Sequence, residues 1–232
     1  MLLEIKNLNK SYQDISLFND FNIEIKENTI SCILGPSGCG KTTLLNIING
    51  TINADSVELK GFENKVISYI FQEPRLLPWK TVRENIAFVI KDIENKEETV
   101  ERYIRLVELG KFADYYPSKL SGGMKQRVSI ARAFAYPSDI ILMDEPLKAL
   151  DIKLKLNLIK SFKRIWQFDK RTVVFVTHDI DEALLLGNEL FVFSKAPVII
   201  KDKFILSAGS SEISLENQEM IDLKKRILKI MD

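Results

Sequence analysis

One run constrains this chain more than any other: Gly35, Pro36, Ser37, Gly38, Cys39, Gly40, Lys41, Thr42 and Thr43. It follows Ile30, Ser31, Cys32, Ile33 and Leu34, a nearly all-apolar segment of the kind that forms a strand buried on both faces. It leads into Leu44, Leu45, Ile47 and Ile48, whose spacing predicts a helix ended by Gly50. Glycines let successive backbone amides turn inward around phosphate oxygens, and a helix N-terminus adds the positive end of its dipole. Gly35 followed after four residues by Gly40, Lys41 and Thr42 has the spacing of a P-loop, in the strand–loop–helix setting that a P-loop requires. There Lys41 supplies a compact positive charge for β- and γ-phosphates, and the Thr42 hydroxyl ligates Mg²⁺. The run predicts binding of a nucleoside triphosphate and leaves open what the energy is used for.

The rest of the chain predicts the surroundings of this loop. Phe21, Ile23 and Ile25 alternate with Asn22, Glu24 and Lys26, the period of a sheet with one wet face. Short strands are expected over 56–60 and 66–71. Thr81, Val82, Arg83 and Glu84 form a capping box that opens a helix, and a second helix is expected over 97–108, stopped at Gly110. A third follows Ser121, with Met124, Val128, Ala131 and Ala135 inward, and ends at Pro137. Strands over 140–143, 172–177 and 190–193 then alternate with helices over 152–167 and up to Leu186, and an amphipathic helix is expected over 214–231. Alternating buried strands and helices predict an α/β fold with a mainly parallel sheet wrapped by helices. One domain over 1–232 is expected, with a core at 1–72 and 137–232 and a helical subdomain at 73–136.

Composition excludes several classes. With 33 basic and 32 acidic residues, the net charge of +1 gives no strong attraction to nucleic acid or anionic membrane. No apolar run is long enough to span a bilayer, and the first residues do not read as a signal peptide. Only two cysteines, Cys32 and Cys39, argue against a disulfide framework and fit a reducing compartment.

Two further segments carry chemistry. Ile140, Ile141, Leu142 and Met143 form an apolar strand that ends in Asp144 and Glu145. Asp144 is placed to hold Mg²⁺ and Glu145 to polarise an attacking water as general base. Solvated acids commonly finish a strand, but a P-loop creates a need for both groups. Leu120, Ser121, Gly122, Gly123, Met124, Lys125, Gln126 and Arg127 put a serine and two glycines at a helix start, a second anion site with little side-chain obstruction. A chain with one P-loop has no evident use for a second such site unless another copy is brought to it.

That segment resembles the signature motif of ATP-binding cassette (ABC) ATPases, and the resemblance extends over essentially the whole chain. It implies a P-loop NTPase (RecA-like) core, an N-terminal antiparallel β-subdomain and an inserted α-helical subdomain. It implies ATP and Mg²⁺ as cofactors and a homodimer, or a pair with a like subunit, in which Ser121, Gly122 and Gly123 of one subunit close on the nucleotide of the other. Gln72 resembles the glutamine that senses Mg²⁺ and the attacking water, His178 the switch histidine at the γ-phosphate, and Tyr12 the aromatic that stacks on adenine. Lys148, Ala149, Leu150 and Asp151 keep the family's Ala-Leu-Asp, with a lysine where the family usually has a small residue. The stretch between Thr42 and Gln72 is short for the family, which implies a trimmed β-subdomain.

Phe71, Gln72, Glu73, Pro74, Arg75, Leu76, Leu77, Pro78 and Trp79 are similar to the importer ATPases for nitrate, sulfonates and taurine. This implies an ATPase on the cytoplasmic face of a membrane, paired with separate permease subunits and served indirectly by an extracytoplasmic binding protein. No contact with nucleic acid and no long C-terminal regulatory domain are expected. The alternative is a soluble ABC-type ATPase of a non-transport complex, but such proteins carry coiled-coil insertions or two fused cassettes, and neither is visible. A catalytically idle cassette is disfavoured by the presence of Lys41, Asp144, Glu145 and His178.

Overall fold

β-Forming sequence with a two-residue period opens the chain, and continuous apolar strands follow. The computed structural model describes residues 1–91, 94–148, 150–206 and 218–231. In chain order the first elements are β1 (Leu2–Tyr12), β2 (Ile15–Lys26), β3 (Ile30–Leu34), α1 (Lys41–Ile48), β4 (Ser56–Lys60) and β5 (Ile67–Ile70). Next come α2 (Val82–Ala87), α3 (Lys96–Leu106), α4 (Gly122–Ala135), β6 (Ile140–Asp144) and α5 (Ile152–Phe168). The last are β7 (Thr172–Thr177), α6 (Ile180–Leu186), β8 (Glu189–Phe193), β9 (Ile200–Ile205) and α7 (Gln218–Met231). Residues 214–217 of the expected last helix lie outside the described residues, as does Ala149. The chain divides into two compact units, Met1–Lys65 with Thr172–Asp232, and Val66–Arg171.

In the first unit β1 pairs antiparallel with both β2 and β4. Along β2 the side chains of Phe21, Ile23 and Ile25 are buried while Asn22, Glu24 and Lys26 are exposed, as the alternation requires. A second sheet has β3 at its centre, parallel to β7 and β8, with β9 antiparallel on β8. Every residue of β3, β7 and β8 is buried, the mark of strands covered on both faces. Rings join the two sheets: Phe21 lies 5.1 Å from Phe18 and 5.3 Å, edge-on, from Phe193. Strand β9 was not expected from sequence, because Lys201, Asp202 and Lys203 interrupt its apolar residues as an edge strand allows.

In the second unit β5 runs parallel to β6, and α4 packs against α2, α3 and α5. The expected inward stripe of α4 proves too narrow. Ile130, Ala133 and Phe134 are buried beside Val128 and Ala131, whereas Met124 is only half-buried. A helix with neighbours on several sides buries most of its circumference, so the 3.6-residue stripe underestimates it. The capping box at Thr81 forms: its hydroxyl accepts from the Glu84 amide at 3.2 Å and the Glu84 carboxylate from the Thr81 amide at 2.7 Å.

Candidate functional site

The loop between β3 and α1 is shaped by its glycines. Gly38 and Gly40 have φ of 80° and 97°, a left-handed conformation that a Cβ would strain. Gly35 is needed for another reason: a Cβ there would lie 2.8 Å from the Cys39 sulfur and 3.1 Å from Phe193 Cβ. Gly40 is also the N-cap of α1, so no side chain caps that helix, and no acidic residue sits in its first turn. An N-terminus left in this state presents amide donors and uncompensated positive dipole.

Lys41 is only 5% exposed. Its Nζ donates to the carbonyls of Gly35 at 2.8 Å and Pro36 at 2.9 Å, so its charge is held inside the curve of the loop. Ser37, Gly38 and Thr42 are exposed, and Pro36 and Thr43 half-buried. Cys39 is buried and its thiol is pushed up by that burial, against the pull of the Lys41 charge. Both cysteines are free thiols.

The same unit carries Tyr12 and His178. Tyr12 ends β1 with 45% of its surface exposed, and Lys10 Nζ stands 5.0 Å from its ring centroid. His178 is exposed one residue beyond β7, on a support that sequence reasoning missed. Thr177 donates its hydroxyl to the buried Glu182 carboxylate at 2.6 Å and accepts from the Asp179 amide at 3.0 Å. Asp179 in turn caps α6 through the amides of Asp181 and Glu182. The spacing Thr-His-Asp before an acidic first turn was the available signal.

The second unit carries the remaining residues. Asp144 ends β6, and its Oδ2 accepts from the Tyr69 hydroxyl at 3.3 Å. Burial, then the Asp144 charge, pushes the Tyr69 hydroxyl well above its usual range, so it stays a donor to the carboxylate. The Tyr69 ring stacks on Phe71 at 4.4 Å, and Phe71 lies under the Arg75 guanidinium at 3.8 Å. Gln72 follows Phe71 and is exposed. The Phe71 carbonyl accepts from Gln126 Nε2 at 3.4 Å, which ties α4 to the residue before Gln72.

Glu145 has φ of 43°, a left-handed conformation that costs a non-glycine residue about 1–3 kcal/mol. Strain of this kind persists where the surroundings impose it, and it aims the side chain. The Glu145 carboxylate is 3.0 Å from Lys148 Nζ.

Ser121 caps α4, its hydroxyl accepting from the Met124 amide at 3.3 Å. The two glycines that follow differ in purpose. A Cβ at Gly123 would press to 3.3 Å of Leu154, whereas one at Gly122 would meet nothing within 4 Å. Gly123 is therefore a packing glycine, and Gly122 keeps the exposed helix start clear.

The stretch after Gln72 is pinned from below. Buried Asn85 accepts from the Leu77 amide at 2.9 Å and donates to the carbonyls of Leu77, Lys80 and Thr81 at 3.1, 2.9 and 2.9 Å. Arg132 donates to the carbonyls of Pro74 and Arg75. Leu76 and Leu77 are half-buried, while Trp79 and Phe88 remain 69% and 63% exposed.

Comparison with known proteins places this geometry among relatives. The family model described as "ABC transporter" matches residues 18–148. An uncharacterized ABC transporter ATP-binding protein of Methanocaldococcus jannaschii is 38% identical, over 99% of this chain and 91% of its own. An aliphatic sulfonates import ATP-binding protein of Bacillus cereus is 39% identical, over 97% of this chain and 92% of its own. Among solved structures, a dimeric ATP-binding cassette in a post-hydrolysis state with ADP and Pi is similar with a TM-score of 0.71. It is 30% identical, and the match covers 89% of this chain and all of that one.

Proposed function

Because this chain belongs to the ABC transporter family of ATPases, we propose that it is the ATP-hydrolysing subunit of an importer, energising uptake of a small solute of the sulfonate, nitrate or taurine kind through a separate membrane permease. The observation that carries the reading is the loop over 35–43, with buried Lys41 held in its curve and an uncapped helix start behind it. The relative named for aliphatic sulfonate import supports the solute class.

In this reading Lys41 and the loop amides hold the β- and γ-phosphates, Tyr12 stacks on the adenine, and Gln72 and His178 contact the metal site and the γ-phosphate. The Thr42 hydroxyl, the Asp144 carboxylate and the Gln72 side-chain carbonyl are hard oxygen donors of the kind that would hold Mg²⁺. No group of three or more His, Cys, Asp or Glu side chains stands ready for a metal among the described residues. That fits a cation held by one or two protein oxygens together with nucleotide phosphates and water. When bound, Mg²⁺ neutralises charge on the phosphoryl group being transferred. Glu145 takes the proton of the attacking water.

A second copy brings its Ser121, Gly122 and Gly123 to the γ-phosphate, so that ATP is sandwiched in a homodimer; the dimeric solved relative supports this. The permease docks on the stretch 73–79, whose backbone Asn85 and Arg132 fix while Trp79 stays exposed. An extracytoplasmic binding protein delivers solute to the permease. No helix among the described residues is long and apolar enough to cross a membrane, and the permease holds the subunit at the inner face of the cell membrane.

Replacing Glu145 with Gln tests the chemistry. The variant keeps size and shape but accepts no proton, so phosphate release should fall by roughly 10² to 10⁴. MgATP binding should survive, and the variant should run as an ATP-dependent dimer in size exclusion. Wild-type turnover in this variant would remove Glu145 from the mechanism.

A further inference from the structure

The lysine at position 148 stands in a motif where the family resemblance implies a small residue, and nothing in the reading above uses it. We propose that Lys148 is a positioning residue for ATP hydrolysis: its ammonium anchors the Glu145 carboxylate across a tight turn of the same loop. The inference rests on the assignment of Glu145 as general base.

The turn over 145–148 is closed twice. The Lys148 amide donates to the Glu145 carbonyl at 3.1 Å, and the Lys148 Nζ meets Glu145 Oε2 at 3.0 Å. Between them Pro146 and Leu147 are buried, and Leu147 is 2% exposed, so the centre of the turn is fixed by packing. The strained φ of Glu145 sets the direction in which its side chain leaves the backbone. What the backbone cannot set is the rotamer of a carboxylate two carbons further out. The Glu145 side chain is 13% exposed, so the pair is screened on the carboxylate side far less than a surface pair would be. The Lys148 side chain is 44% exposed, and its ammonium lies against the base. A general base acts only when its oxygen is within hydrogen-bond reach of the proton it takes. An ammonium on Oε2 confines the carboxylate to one orientation and leaves proton transfer to the same group held still.

The test is steady-state ATPase of the purified chain with Lys148→Met, which keeps the stem and removes the charge, and Lys148→Arg, which keeps the charge. Lys148→Met should lower kcat about fivefold, the order expected for a partly screened ion pair. The KM for MgATP and the melting temperature should be unchanged, and Lys148→Arg should restore most of the rate. A full or raised kcat in Lys148→Met overturns the proposal, as does a Lys148→Arg variant equally impaired. So does a loss of MgATP affinity in step with kcat, since that marks a collapsed loop. Glu145→Gln, run alongside, separates the two ideas. Wild-type turnover there removes the base assignment and this inference with it. Arrest there with full activity in Lys148→Met removes only the anchor.

Discussion

Lys41 is a charged side chain with 5% of its surface exposed, a state that persists only if the ammonium finds partners. Its partners are the Gly35 and Pro36 carbonyls, so the charge proposed to bind phosphate is held by the loop's own backbone. Hydrogen bonds to a charged group are worth about 1.5–3 kcal/mol. Lys41→Ala should therefore weaken MgATP binding roughly ten- to hundredfold, read by titration of the purified chain. Unchanged affinity would detach the loop from the nucleotide. The chemical identity of this residue was legible in its spacing from Gly35 and Gly40. Its burial and the two carbonyls were not, because they follow from how the loop curls back on itself. The same division holds at Glu145: its place after Asp144 was readable, and its left-handed backbone and the lysine on its carboxylate were not.

Elements behave differently according to whether their signal is local. The capping box at Thr81 joins residues three apart, and sequence reading found it. Asn85, four residues on, looks in sequence like any polar helix residue, yet it makes four hydrogen bonds to the chain between Leu77 and Thr81. An unpartnered buried polar group costs about 1–3 kcal/mol. Asn85→Ala orphans several backbone groups and should destabilise the protein by about 2–3 kcal/mol, lowering Tm by several degrees in a thermal melt. A melt unchanged within a degree would show that water replaces the amide without cost. Strand β9 escaped notice for the complementary reason. It is an edge element in which half-buried Asp202 shares the face of buried Phe204 while Ile205 is exposed beside Lys203, so its apolar residues carry no period of two.

At the scale of the whole molecule the question is which surface serves a partner. Trp79 is 69% exposed on a backbone held by Asn85 and Arg132, an arrangement that spends rigidity on an apolar side chain left in water. Trp79→Asp should abolish transport in the assembled complex while the ATPase of the isolated subunit stays within about twofold of wild type, because substitution of an exposed side chain moves stability little. If both activities fall together, the tryptophan serves the fold rather than the permease.

The sequence by itself determined the α/β class, the phosphate loop, the order of the chemical motifs and the family to which they belong. Each of these rests on residue type at fixed short spacing, and backbone stereochemistry translates such spacing directly into turns, strands and helix starts. Only the tertiary structure decided the supports: Thr177 with Glu182 under His178, Tyr69 beside Asp144, Gln126 on the Phe71 carbonyl, and Asn85 beneath the stretch ending at Trp79. In two of these, Tyr69 with Asp144 and Gln126 with Phe71, the partners lie far apart in sequence, and in the other two a nearby partner is chosen only when packing has removed water from around the side chain.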